Sequence, residues 1–309
     1  EPDPSIASAW YTEGLSVVAG AIDNQATYRR LRADQARLVV ANRDDIVNTN
    51  IALTVREIAP DVSLAAIADN DDAIDILELS GATHVLPLKR WLGEQLANRI
   101  NAQHAGLHPI GEYEDLKIAE LPVHNTPLAR HTVRETQLRE KTGVSIIGVW
   151  KRGRMELARP DTELTDQCVP VVMGTADQLD ELDTLLAIYD FNPNPVLLIG
   201  GGMVGSAAAR ALAAKDVPVH LVERDQNRCQ QLRSVCTEVF HGDASDYSLV
   251  HKAGIDKAPS VLLTTNDDAV NVYLTSYCRR LNPDLRIVSR ITHERNLDAI
   301  YRAGADFVL

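Results

Sequence analysis

Three glycines and one carboxylate carry the most specific chemistry in this sequence. Gly200-Gly201-Gly202-Met203-Val204-Gly205 satisfies the pattern G-x-G-x-x-G. There Gly200 permits a tight turn, Gly202 lets the backbone approach a pyrophosphate, and Gly205 lets a helix pack closely on a strand. Met203 and Val204 lead into the helix, whose first N–H groups and positive dipole end face the phosphates. Glu223 follows 18 residues beyond Gly205, with Arg224 next to it. A carboxylate there accepts from ribose hydroxyls and disfavours a 2′-phosphate, which selects NAD(H), ADP or ATP over NADP(H). Two further loops belong to the same crevice, Gly242-Asp243-Ala244 and Thr264-Thr265-Asn266-Asp267-Asp268, with Arg290 beyond them. Asp243 is placed to accept from an adenine amino group, and Asn266–Asp268 also reads as a helix N-cap.

The elements that must position these residues alternate between strand and helix. Val196–Ile199 reads as a buried strand, Ser206–Ala214 as an alanine-rich helix and Val219–Val222 as the next strand. This alternation occurs twice. Asp44–Leu86 realigns on Asp267–Leu309 at an offset of 223, with 12 identities in 43 pairs; composition alone gives roughly three. With one residue of slippage the register continues back to Glu1 on Glu223 and Gly20 on Gly242. The first copy is predicted as a strand at Leu38–Val40, a helix at Ile46–Ile58, a strand at Val62–Ile67, a helix at Ala73–Leu79 and a strand at His84–Leu86. The second copy reads Val261–Leu263, Val270–Leu281, Leu285–Ser289, Leu297–Arg302 and Phe307–Leu309 in the same order. Short turns between such elements require right-handed crossovers and a parallel sheet. The sequence therefore reads as a slice through a tandem protein that starts late in one unit and stops early in the next.

The intervening pattern differs. Trp91–Gln103 is predicted as an amphipathic helix and His104–Gly111 as a break. Strands follow at Leu116–Ala119, Val144–Trp150 and Cys168–Met173, with helices at Val133–Lys141 and Asp177–Tyr189 and a linker at Asn192-Pro193-Asn194-Pro195. The expected division is 1–109, 110–191 and 192–309. At the ligand positions the first copy diverges: Ala21 stands for Asp243, Arg43 for Asn266 and Ile67 for Arg290, while Glu1 is kept. The second unit is thus expected to bind the nucleotide, and the first to be degenerate or to bind something else.

The bulk numbers narrow the function classes. A net charge of −12 argues against a nucleic-acid partner. Val196–Ile199 and Val144–Trp150 are strand-sized, and no apolar run approaches a membrane span. Cys168, Cys229, Cys236 and Cys278 form no C-x-x-C and read as buried thiols of a reducing compartment. His104 and His108 share helical spacing without an acidic or cysteine partner and read as a solvated helix end. The acidic run Asp69–Asp72 and the pairs Asp44-Asp45 and Asp267-Asp268 read as caps and solvated faces, short of the six to eight oxygens, or about that number, which Ca²⁺ prefers.

The glycine loop, Gly242-Asp243-Ala244-Ser245-Asp246, Ala253-Gly254-Ile255 and Arg302-Ala303-Gly304-Ala305-Asp306 resemble the N-terminal lobe of RCK (TrkA-N) domains. Val133–Arg139, Val144–Trp150, Pro160–Leu164 and Val172-Met173-Gly174 resemble the RCK C-terminal lobe (TrkA-C). The resemblance implies doubly wound, parallel-sheet (Rossmann-like) α/β N-lobes flanking a small α+β C-lobe. It also implies ligand-controlled gating of potassium flux at the cytoplasmic face of the cell membrane, homo-oligomeric rings joined through a crossover helix (here Trp91–Gln103), and a channel pore in the same full-length chain. The detached TrkA regulatory subunit is the neighbouring alternative. ATP-binding members often carry a basic residue where this chain has Met203, so NAD(H) or ADP is favoured. An NAD-dependent oxidoreductase is the distant alternative: it needs a general acid or base, and His241 and His251 show no carboxylate partner in the sequence.

Overall fold

The computed structural model describes residues 1–100, 107–121, 123, 126, 128–151, 154–165, 168–187 and 194–309. His104, residues 101–103 of the predicted Trp91–Gln103 helix, the end of the Asp177–Tyr189 helix and the linker residues Asn192 and Pro193 lie outside them. Two compact units emerge, Glu1–Trp91 and Leu92–Leu309.

The first unit holds a parallel three-stranded sheet, β1 (Val39–Ala41), β2 (Leu64–Ile67) and β3 (His84–Leu86), in the order β1-β2-β3. Strand β2 is buried along Leu64–Ala66. Leu64 and Ala66 pack there with Ala52 and Val55 of the helix Asp45–Ile58 and with Leu77.

The second unit has two main sheets. An antiparallel one orders β4 (His108–Tyr113), β5 (Leu116–Glu120), β10 (Val169–Gly174), β7 (Ser145–Lys151) and β8 (Arg154–Leu157) as β4-β5-β10-β7-β8. A small ribbon pairs β6 (His131–Thr132) with β9 (Glu163–Leu164). The parallel sheet comprises β11 (Val196–Ile199), β12 (Val219–Glu223), β13 (Glu238–His241), β14 (Ser260–Leu263), β15 (Arg286–Ser289) and β16 (Phe307–Val308). Its order, β13-β12-β11-β14-β15-β16, is the doubly wound arrangement, with the strand order reversing between β11 and β14.

Several elements differ from the sequence expectation. The helix predicted over Val133–Lys141 is two short ones, Val133–Thr136 and Leu138–Thr142, broken where Gln137 takes a left-handed conformation at φ 52°. His108 is not at a solvated helix end. It opens β4, where it is half-buried, and burial followed by the Arg99 and Lys215 charges holds its imidazole below the usual range. The helix expected at Trp91 begins at Leu88 and runs to Asn98. Its Leu96 and Ala97 pack against Val204 and Ala208 of the helix Met203–Ala213. A Cβ placed on Gly93 would fall 2.4 Å from the Val204 carbonyl oxygen, so only glycine permits this approach.

The repeat identities turn out to be structural. Asp267 caps its helix by accepting from the Ala269 and Val270 N–H groups, and Asp44 accepts from Val47 in the first copy. Asp268 accepts from the N–H groups of Thr292 and His293 and from Asn296 Nδ2; Asp45 does the same for the N–H groups of Asp69 and Asn70. Asn271 and Asn48 each tie two loops through their amides. Arg279 and Arg56 each hold the carbonyl of the glycine after the next helix, Gly304 and Gly81, at φ +109° and +105°.

Asp268 gives this scaffold a pH dependence. Burial by itself raises its pKa, but donation from Asn296, Thr292 and His293 outweighs that and holds the carboxyl at about 2. A depressed folded-state pKa stabilises above the ordinary carboxylate range, and the contribution disappears as pH falls through about 2. Asp268→Asn is expected to cost on the order of 1–2 kcal/mol at neutral pH, with the difference in melting temperature closing between about pH 4 and pH 2. A difference constant over that interval would refute the assignment.

Candidate functional site

The phosphate loop sits at the carboxyl end of β11, where the strand order reverses. Gly200 turns the chain at φ +100°, and its N–H donates to Val222 at 3.0 Å. Thr264, at the end of β14, donates from Oγ1 to the carbonyls of Ile199 and Gly200 at 3.1 and 2.7 Å, closing the crevice floor. A Cβ on Gly205 would lie 1.9 Å from the Gly200 oxygen and 2.7 Å from Thr264 Oγ1. Gly202 is the N-cap of Met203–Ala213 and supplies no side-chain acceptor, so the first N–H groups of that helix keep no partner of that kind. A Cβ on Gly202 would meet nothing within 4 Å except Arg228 Nη1, at 3.8 Å. Gly205 is therefore required by the protein's own packing, whereas Gly202 leaves space at its surface.

Glu223 ends β12 and is 7% exposed. Its Oε2 accepts from the Gly201 N–H, and its Oε1 from the Asp225 N–H at 2.8 Å. The carboxylate thus braces the loop while its remaining lone pairs stay available. Met203 is exposed at the loop, whereas the Val204 side chain lies in the core and only its N–H is on offer. Gly242 donates its N–H to Glu223 O at 2.9 Å, which sets the next turn beside β12. Gly20 donates to Glu1 O in the same way in the first unit. Asp243 accepts from the Ser245 N–H at 2.8 Å and stands 3.7 Å from Arg224 Nη1. Those hydrogen bonds, then the Arg224 charge, hold its carboxyl below the usual range despite some burial. Ala244 is turned into the core with Val250 and Ala253.

On the other side of the crevice Thr265 donates to Asn271 Oδ1 at 2.6 Å, and Arg290 Nη1 donates to Asn266 Oδ1. Arg290 Nε is buried without a hydrogen-bond partner. Burial lowers the pKa of this guanidinium, and the Asp268 charge opposes the shift. The expected residues therefore fall into three groups: Gly200–Gly205 with Glu223, Arg224 with Asp243, and Thr265 and Asn266 with Arg290. Sequence reasoning missed Arg228. Asp225 caps the helix Gln226–Leu232 and aims this residue back over the loop. A basic residue five positions past the strand-end acid was the available signal.

The first unit differs as its residues imply. Arg43 Nη1 comes to 4.0 Å from Glu1 Oε2, a partner for the carboxylate that has no counterpart at Asn266. In the acidic run, Asp69 pairs with Lys89 at 2.6 Å and Asp71 with Arg90 at 3.2 Å. Among the described residues no group of three or more metal-ligating side chains converges. One expectation is corrected: His251 does have a carboxylate partner, Asp256, at 2.5 Å from Nδ1. The contact spans a helix end and the following turn, which sequence spacing does not reveal. His251 Nε2 is buried and the ring lies against Tyr247, while His241 Nε2 is bonded to the Arg224 carbonyl. All four cysteines are buried and free, and burial raises the Cys236 and Cys278 thiols to about 11 and about 12.

The TrkA-N domain model matches residues 1–87 and 196–309, and the TrkA-C domain model matches 118–187. This chain belongs to the TrkA-N/TrkA-C (RCK) family. The RCK chain is 38% identical to the solved GsuK RCK domain, with a TM-score of 0.81, over 100% of its own length and 67% of that chain. It is also 38% identical to the GsuK channel bound to NAD, with a TM-score of 0.78, over 100% of its own length and 56% of that one. GsuK bound to ADP matches at 26% identity and a TM-score of 0.62, over 100% of this RCK chain and 57% of that one. The segment thus spans little more than half of the channel chains. Among its described residues no helix is long and apolar enough to cross a membrane.

Proposed function

We propose that this segment is the ligand-sensing part of a potassium channel's gating apparatus and that its second N-lobe binds NAD(H) or ADP. The observation that carries this reading is the loop. Gly202 leaves open space at a helix start that lacks a side-chain cap, and the strand-end acid Glu223 stands beside it. Gly200, Gly202 and the N–H groups of Met203, Val204 and Gly205 would hold the phosphates. Glu223 would take the ribose hydroxyls, and Asp243 with Arg224 would flank the base. Thr265, Asn266 and Arg290 would close the opposite wall. The work asked of such a site is binding and a change of lobe geometry, with no chemical step. The His251 ring faces Asp256 through Nδ1 and buries its Nε2, so it is not placed to move a substrate proton.

On this reading residues 1–109, 110–191 and 192–309 are an N-lobe part with its crossover helix, a C-lobe and a second N-lobe. They would assemble with further RCK domains into a ring at the cytoplasmic membrane face, under a pore in the remainder of the full-length chain. The likeness to GsuK channel structures favours this over a detached transporter subunit. Calorimetric titration with NAD⁺, NADH, ADP and ATP is expected to give one site per chain. Glu223→Ala is expected to weaken binding about tenfold or more, because it removes both the ribose acceptor and the brace on Gly201. Absence of binding by all four nucleotides would overturn the proposal.

A further inference from the structure

The phosphate loop contains no cation of its own, because Met203 occupies the first helical position. A pyrophosphate bound only by backbone N–H groups would carry its charge largely uncompensated, so the surrounding side chains decide what the loop can hold. Three arginines border the crevice. Arg224 is engaged with Asp243 and Arg290 with Asn266. The Arg228 guanidinium has no hydrogen-bond or ion-pair partner among the described residues, and it hangs 3.8 Å from the point where a Gly202 side chain would begin. Its backbone is fixed, since its N–H donates to the capping Asp225 at 3.0 Å and its neighbour Cys229 is locked in the core.

The repeat gives an internal comparison. At the offset that aligns Glu1 with Glu223, Asp3 matches Asp225, and both cap the helix that follows. At that offset Ile6 is the counterpart of Arg228. The cap is kept in both units, whereas the cation is present only beside the glycine loop. Folding of this helix therefore does not need the arginine.

We infer that Arg228 is the phosphate-binding cation of the second N-lobe, supplying from the helix after β12 the charge that the loop sequence lacks. A planar guanidinium at that position donates in a fork to two phosphate oxygens, which makes the site favour a phosphorylated nucleotide over the bare nucleoside. The inference rests on the nucleotide reading above. It extends that reading to a residue outside the loop and to how the ligand's phosphates are held.

The test is calorimetric titration of the whole chain and its Arg228→Gln and Arg228→Lys variants with ADP, with adenosine as a competitor. Arg228→Gln is expected to weaken ADP about tenfold or more, Arg228→Lys by less, and adenosine competition by neither. The ADP affinity of the Gln variant should also fall less steeply between about 50 and about 300 mM KCl than that of the wild type. Because the residue is exposed, the melting temperature should not move. ADP binding by Arg228→Gln within fivefold of wild type would overturn the inference while leaving the nucleotide reading intact. Equal weakening of ADP and adenosine would also overturn it, marking a structural role. A wild-type chain that binds no ADP would overturn both.

Discussion

Gly205→Ala is expected to unfold or strongly destabilise the second N-lobe, whereas Gly202→Ala leaves stability unchanged and weakens nucleotide binding. The asymmetry follows from two built Cβ positions. At Gly205 the new carbon lands 1.9 Å from the Gly200 carbonyl oxygen and 2.7 Å from Thr264 Oγ1. The first obstacle is backbone and the second anchors that same backbone, so neither can rotate away. Overpacking of this kind costs about 1–3 kcal/mol where neighbours can shift, and more where they cannot. At Gly202 the carbon meets only Arg228, at 3.8 Å, so the change in stability stays within about 0.5 kcal/mol. Its methyl would instead occupy the path of the incoming pyrophosphate, and an affinity loss of about tenfold or more is expected. Thermal melts beside calorimetry separate the two effects. If Gly205→Ala melts with the wild type, or Gly202→Ala binds ADP as the wild type does, the division of labour is wrong.

The second large effect lies at a buried ion pair. Arg99 Nη1 contacts Glu120 Oε2 with side chains 12% and 4% exposed, and the guanidinium carbon stands 4.3 Å over the Phe307 ring. Burial, then the nearby Arg286 charge, brings the Arg99 pKa down to about 10, so it remains cationic at neutral pH. Glu120 belongs to β5 and Phe307 to β16, so this cluster joins two different sheets within Leu92–Leu309. Removing one partner leaves the other charge buried and unpaired, which costs about 3–5 kcal/mol. Glu120→Leu alone is therefore expected to lower denaturant resistance by that amount. The double variant Arg99→Met, Glu120→Leu should recover most of it, because two apolar groups replace two desolvated charges. A double variant no more stable than Glu120→Leu would show that the pair is not the source.

What was legible in the sequence follows from burial. Strands β2, β11 and β14 are buried on both faces, so their apolar runs announced them, and the parallel order followed from the helices between them. Strands β4 and β8 are exposed edges, with Pro109 and Gly111 in one and Arg154 and Glu156 in the other, and neither carries an apolar signal. The break at Gln137 was hidden because its neighbours have ordinary helical composition. The glycine loop and Glu223 could be read from spacing because each local conformation demands a particular residue type. Arg228 and the His251–Asp256 pair could not, since their meaning comes from where a side chain swings after the helix has formed. The repeat misleads in an instructive way. Its identities at Asp45 and Asp268, Asn48 and Asn271, and Arg56 and Arg279 mark loop-tying scaffold, while the positions facing the crevice have drifted apart.

The close seat of Gly93 on Val204 has a mechanical consequence. Two helices separated by side chains can absorb a small displacement by rotamer changes. Two helices whose backbones nearly touch cannot, because close-packed interiors transmit strain. The helix Met203–Ala213 begins at the phosphate loop, and the Leu88–Asn98 helix rests on it at this point without a cushion. The contact is a stiff bearing, and any tilt of the loop helix passes directly into the helix that carries Gly93.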